Sequence, residues 1–223
     1  MLTKAAIFDV DGTLVDSVDL HALAWHEALV KFGHDVSFEQ ARSQIGKGGD
    51  KLIPHFLSED EQRDHGDDLE EWRGRRFRSE YLPLVRPFSA VPDLLKRVRD
   101  AGVRIAVGSS AKKDELAEYL DIARVADLID VTASSEDAEE SKPAPDIFDV
   151  VLRNLKLDGA AAVAVGDTPY DAEAAGKAGV RTIGVLCGGF TEQSLRHAGC
   201  VEVYPGPASL FARFKHSLLA ERT

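Results

Sequence analysis

Asp9 and Asp11 stand two residues apart at the end of a short apolar run, Ala5-Ala6-Ile7-Phe8. On an extended segment, residues at that spacing point the same way, so both carboxylates enter one cleft. Gly12 then lets the chain turn sharply away. Like charges this close are costly unless a cation lies between them or one is protonated. A second acidic group follows the apolar run 161–165, in Gly166-Asp167-Thr168-Pro169-Tyr170-Asp171. Pro169 suits the first turn of a helix, and Asp171 falls within that turn, where an acid interacts well with the helix dipole. Asp171 alone therefore has a structural reading as a helix-stabilising acid, whereas Asp167 has none. Three or four carboxylates converging on one point call for a hard divalent cation with oxygen ligands, Mg²⁺ foremost.

Two further apolar runs end in complementary groups. Residues 103–107 lead into Gly108-Ser109-Ser110, which offers hydroxyls and backbone N–H groups to an anion at a helix entrance. Ser141-Lys142-Pro143 follows the run near 128–132, and Lys142 can bring a point charge to a phosphate. Each is weak alone, since a serine after a strand is usually a helix cap. Together they describe phosphoryl transfer: a carboxylate nucleophile, a second carboxylate as acid and base, a metal, and donors for the oxygens.

These groups need a scaffold that brings strand ends together. The runs at 5–8, 103–107, 128–131, 161–165 and 180–185 are near-continuously apolar, as strands buried on both faces should be. Helical patterns at 90–101, 112–121, 145–156, 170–178 and 191–198 alternate with them. Several of these end at a glycine suited to a left-handed cap: Gly102, Gly179 and Gly199. Such alternation predicts an α/β fold, a parallel sheet with helices on both faces and the acids at the carboxyl ends of its strands. Residues 18–86 break the pattern and read as helical throughout. The first helix, 17–32, stops at Gly33, Ser37 and Ser58 are N-caps, and Ser58-Glu59-Asp60-Glu61 has capping-box spacing. The economical organisation is an all-helical insertion, 17–86, in a core made of 1–16 and 87–223. The mixed charges from Glu59 to Glu80 read as a solvated helix face.

Composition removes other classes. With 223 residues, 44% hydrophobic and 29% charged, the chain has ordinary globular usage. Its 27 basic against 38 acidic residues give a net charge of -11, which argues against binding nucleic acid or an anionic membrane. Two cysteines, Cys187 and Cys200, without a CxxC pair, exclude a zinc module and make a disulfide framework unexpected. The amino terminus meets Asp9 before a signal-peptide core could form, and no apolar run approaches the ~20 residues of a membrane span. The expectation is a reduced, cytoplasmic protein, monomeric or weakly dimeric, that binds a small phosphorylated metabolite.

The motifs Asp9-Val10-Asp11-Gly12-Thr13, Ser109, Lys142, and Asp167 with Asp171 occur in an order and spacing that resemble the haloacid dehalogenase-like hydrolase superfamily. Leu14-Val15-Asp16-Ser17 extends the first motif, and the likeness covers essentially the whole chain. It is closest to the subgroup with a small helical cap, including phosphoglycolate phosphatases and β-phosphoglucomutase-like members. The resemblance implies a Rossmann-like doubly wound core and an aspartyl-phosphate formed on Asp9. It also implies that Asp11 protonates the leaving oxygen and then activates water. Mg²⁺ would be held by Asp9, the Asp11 carbonyl and Asp167, with Asp171 as ligand or supporting group. Ser109, Ser110 and Lys142 would hold the phosphoryl group, and Thr13 would orient the Asp11 loop. Because Asp11 is an acid, the resemblance favours phosphate esters over haloacids or phosphonates.

Substrate choice falls to the insertion, where Gly46-Lys47-Gly48-Gly49-Asp50-Lys51 is a flexible cationic loop and Lys47 is the candidate substrate contact. A mutase remains the alternative to a phosphatase. His21 and Trp25 resemble the mutase-like cap helix, but Gly49 and Ile45 stand where that group carries an arginine and a lysine. A third reading is a non-catalytic, receiver-like phosphate-binding module, against which the length and the helical insertion count.

Overall fold

Ala5–Phe8 carries no polar side chain on either face, so it needs cover on both and takes the middle of a sheet. A computed structural model describes residues 2–220. Its strands are β1 (Ala5–Phe8), β2 (Val15–Asp16), β3 (Arg86–Pro87), β4 (Arg104–Gly108), β5 (Val131–Ala133), β6 (Ala162–Gly166), β7 (Arg181–Val185) and β8 (Cys200–Tyr204). Six of them form one sheet in the order β5-β4-β1-β6-β7-β8, all parallel. The chain builds outward from β1 to β5 on one side, then returns to lay β6, β7 and β8 on the other. That reversal beside β1 is the topological switch point at which open α/β sheets leave a crevice beyond their strand ends.

The helices Val91–Asp100, Lys113–Ile122, Asp146–Leu155, Pro169–Lys177 and Glu192–His197 flank this sheet. Ile147, Phe148, Val151 and Leu155 pack with Ile7, Ala106 and Ala164 into one core cluster. Gly102, Gly179 and Gly199 adopt positive φ where the helices before them end. Four strands differ from the sequence reading, and two of them, β2 and β3, are only two residues long, too short to show a pattern. β5 starts at Val131, because Ala126–Leu128 closes a 3₁₀ turn instead. β8 lacks a continuous apolar run because it lies at the sheet's edge, where Val201 is exposed and Glu202 half-buried.

The chain divides into two compact units. One contains the sheet and runs up to Asp16 and again from Arg86; the other is Ser17–Val85. The second unit is helical, and its core joins Val18, Ala22, Trp25 and Leu29 of helix Val18–Lys31 to Leu52, Ile53 and Leu69. From Glu59 to Leu84 its backbone is continuously helical and includes π turns at Gln62–Gly66 and Phe77–Tyr81. Ser37 and Ser58 both close full capping boxes. Val15 and Asp16 pair antiparallel with Pro87 and Arg86 where the first unit's chain is interrupted.

Leu95, fully buried on helix Val91–Asp100, tests this packing. Leu95→Ala should lower unfolding stability by about 3 kcal/mol in urea titration. A loss below about 1 kcal/mol would mean that the helix is not anchored by its apolar stripe.

Candidate active site

Asp9 is the first residue past β1, and its amide still donates to Val165 O at 2.9 Å. The chain then knots tightly: Val10 O accepts the amides of Thr13, Leu14 and Val15 at 3.1, 2.8 and 3.1 Å. Gly12, at φ +78°, makes that reversal possible. Asp167 is the first residue past β6, and because Phe8 pairs with Val165 the two acids leave neighbouring strand ends. Thr13 Oγ1 donates to Asp167 Oδ1 at 3.1 Å.

Asp171 uses its two oxygens differently. Oδ2 accepts from the Thr168 amide at 3.1 Å and hydroxyl at 2.7 Å, completing the capping box of helix Pro169–Lys177. Oδ1 lies 2.7 Å from Lys142 Nζ. The helix-stabilising role is thus real and occupies only one oxygen. Lys142 also donates to Asp9 Oδ1 at 2.6 Å and Gly108 O at 3.0 Å, so three acceptors surround its three protons.

These groups are out of water. Asp167 and Lys142 are 0% and 1% exposed, Asp171 2% and Asp9 9%. One carboxylate oxygen from each of Asp9, Asp167 and Asp171 falls within 4.8 Å of the others. Three acids therefore face one ammonium. Burial pushes Asp9 up to about 7; Lys142 opposes this, and Asp171 and Asp11 reinforce it. Burial, then Asp9 and Asp171, hold Asp167 well above the usual carboxylate range. Burial alone would lower the Lys142 pKa, but Asp171 and Asp9 outweigh it and keep the ammonium charged. Asp167 Oδ2 is buried without a hydrogen-bond partner. An orphaned carboxylate oxygen beside two more acids is the donor set of a hard divalent cation.

The other residues singled out from sequence lie around this cluster or apart from it. Asp11 is half-buried on the turn after β1. Ser109, the first residue past β4, is fully buried; its Oγ accepts from the Ala111 amide at 3.0 Å and its own amide donates to Ala133 O at 3.0 Å. Ser110 follows, half-buried. The next helix begins at Lys113, so these serines stand a few residues ahead of the helix entrance where the sequence suggested they would lie. Lys47 belongs to the helical unit, where its Nζ donates to Gln44 Oε1 at 2.6 Å.

Sequence reasoning missed the loop after β7. Cys187 Sγ donates to Gly12 O at 3.0 Å, and burial, then Asp167, pushes its thiol up to about 12. A Cβ on Gly188 would lie 1.7 Å from Asp167 Oδ2 and 2.7 Å from its Cβ. Its place follows from β7 lying beside β6, a tertiary pairing that no local sequence pattern announces.

Comparison with known proteins gives the chain a family. The haloacid dehalogenase-like hydrolase family profile matches residues 6–185. The chain is 28% identical over 189 residues to a phosphoglycolate phosphatase of Aquifex aeolicus, covering 83% of this chain and 85% of that protein. It is 30% identical over 200 residues to protein CbbY of Cereibacter sphaeroides, covering 82% and 84%. A hydrolase structure from Pseudomonas syringae superposes with a TM-score of 0.87 at 22% identity, covering 96% and 98%. CbbY from Rhodobacter sphaeroides, solved in complex with phosphate, superposes at 0.72 with 27% identity, covering 94% and 96%. Among the described residues, no helix is long and apolar enough to cross a membrane.

Two outcomes test the cluster. Gly188→Ala must push Asp167 aside, so calorimetry should show divalent-cation affinity falling roughly tenfold or more while the circular dichroism of the fold is kept. Unchanged affinity would separate the loop from the acids. The second concerns pH in chelator. Burial pushes Asp9 up to about 7 from its ordinary 3.8, and Asp167 is also raised. Folding therefore favours their protonated forms, and this stability is lost as pH rises towards and through 7. The Tm in EDTA should fall between about pH 5 and 8, and a bound divalent cation should flatten that slope.

Proposed function

Because the chain belongs to the haloacid dehalogenase-like hydrolase family, we propose that it is a Mg²⁺-dependent phosphatase of small phosphorylated metabolites, working through an aspartyl-phosphate on Asp9. Phosphoglycolate and sugar phosphates are the candidate substrates. The observation that carries this reading is the buried cluster: Lys142 bridging Asp9 and Asp171, with Asp167 Oδ2 orphaned beside them. The oxygen-only donor set fits Mg²⁺, which Asp9, the Asp11 carbonyl and Asp167 would hold, with Asp171 supporting. When bound, the ion offsets the charge of the carboxylates and of the phosphoryl oxygens.

The chain's own residues then divide the work. Asp9, at the strand tip, attacks phosphorus and forms the acyl-phosphate bond as the ester oxygen departs. Asp11, half-buried and outside the tight triad, gives that oxygen its proton and later takes one from the attacking water. Lys142 keeps its charge under burial and balances charge on the phosphoryl group. Ser109 and Ser110, at the end of β4, supply donors to its oxygens. Thr13 acts through Asp167 Oδ1, which it holds in place. The helical unit serves as the cap that selects substrate, with Lys47 as its contact.

Relatives support the substrate class without naming the substrate. Several are phosphoglycolate phosphatases, and a mutant CbbY from Rhodobacter sphaeroides was solved with xylulose-(1,5)bisphosphate. A mutase is the second reading, favoured by His21, buried and stacked on Phe77 at 3.9 Å, with Trp25 one turn on. Against it, Gly49 and Ile45 stand where the mutase-like pattern carries an arginine and a lysine. The receiver-like reading is set aside, since the chain is a hydrolase by family.

Asp9→Asn should abolish turnover of p-nitrophenyl phosphate while the fold remains, and single-turnover ¹⁸O water should label Asp9 in the wild type. Label confined to released phosphate would mean direct attack by water. EDTA should remove activity and Mg²⁺ restore it. With β-glucose 1-phosphate and a trace of glucose 1,6-bisphosphate, inorganic phosphate should outpace glucose 6-phosphate; the reverse would establish the mutase. Lys47→Ala should raise KM more than it lowers kcat, as loss of uniform binding does.

A further inference from the structure

Two histidines far apart along the chain meet in the helical unit. His34 Nε2 lies 3.4 Å from His65 Nε2. That spacing lets one ring donate to the bare nitrogen of the other. It matches the separation of two imidazole nitrogens bound at 2.0–2.1 Å to one tetrahedral ion, about 3.4 Å.

Each ring is positioned by its own surroundings. Helix Val18–Lys31 ends with Gly33 at φ +93°, and the His34 amide donates back to Leu29 O at 3.0 Å, which anchors the backbone beneath the ring. His65 sits in the π turn Gln62–Gly66, whose wider spacing sets its direction, and Phe32 stacks against it at 5.8 Å and 18°. The imidazoles are inclined at 33° with centroids 5.7 Å apart, so neither ring covers the other's nitrogen. Both residues are half-exposed, which leaves water free to complete a coordination shell. Glu61 adds negative charge nearby. Its carboxyl is held below the usual range mainly by the Ser58 hydroxyl and amide, with smaller contributions from His34 and His65.

We propose that His34 and His65 form a two-imidazole clip for a borderline divalent transition ion, with Zn²⁺ or Cu²⁺ as occupant. Imidazole nitrogen suits these ions and not Mg²⁺, so the clip is chemically distinct from the oxygen-only cluster in the sheet unit. Both sites can therefore fill at once. An ion here ties the turn after the first helix to the π turn and stabilises the helical unit by linkage.

The test uses the full chain with excess Mg²⁺ present. Cu²⁺ added at one equivalent should give an electron paramagnetic resonance spectrum with two imidazole nitrogens, reduced to one in His34→Gln and in His65→Gln. Zn²⁺ calorimetry should show a site whose affinity falls at least roughly tenfold in either variant. Wild-type spectra without two coupled nitrogens, or variants that bind Zn²⁺ as the wild type does, would overturn the proposal. The wild-type spectrum decides even if a variant fails to fold. Asp9→Asn should leave both signals intact.

Discussion

Lys142 is the one ammonium surrounded by Asp9, Asp171 and the Gly108 carbonyl, and the site depends on that enclosure. Taking a charge out of water costs several kcal/mol even after relaxation, and a third acid, Asp167, shares the same dry space. The surrounding core must hold these groups together against their repulsion. It does so by making β1 and β6 apolar along their length and placing the acids only at their tips. The cluster thereby keeps a deficit of positive charge that a bound cation would offset. Protonation of an acid is the alternative resolution, in keeping with burial and the neighbouring acids pushing Asp9 up to about 7.

Much of this was legible in the sequence because the signals are local. Apolar runs end abruptly in acids at Asp9 and Asp167, and Pro169 with Asp171 marks a helix start that the structure completes through Thr168. The alternation of runs and helical patterns was enough to predict a parallel sheet. What escaped depended on distance along the chain. The closeness of Gly188 to Asp167 follows from β7 lying beside β6, a pairing fixed by tertiary packing and invisible to a local pattern. The edge strand β8 escaped for a related reason, since a half-solvated strand need not be continuously apolar. Thr13 could not be assigned a partner until the turn after β1 was seen to aim its hydroxyl at Asp167.

The helical unit was readable in class and opaque in detail. Its capping serines announce two helix starts, and both form. The π turns do not follow from propensity, and with them went the approach of His34 to His65. The Glu27 carboxylate, which accepts from Arg76 at 2.6 Å and from the Tyr81 hydroxyl at 2.8 Å, was equally hidden. Part of the charged run at Glu59–Glu80 that read as a solvated face is therefore half-buried structure, because Arg76 reaches back to the first helix.

The short pairing of Val15–Asp16 with Arg86–Pro87 has a consequence for how such a chain can change over evolutionary time. Paired strands stand about 4.8 Å apart, so the two ends of the inserted unit leave the sheet unit side by side. To the sheet, an insertion as large as Ser17–Val85 is topologically equivalent to a hairpin loop. Its closure entropy is met by the insertion's own folding and does not fall on the strands that carry the acids. A different helical module with adjacent termini could replace it while Asp9 kept its address. The sheet unit and the unit inserted into it can then be inherited separately.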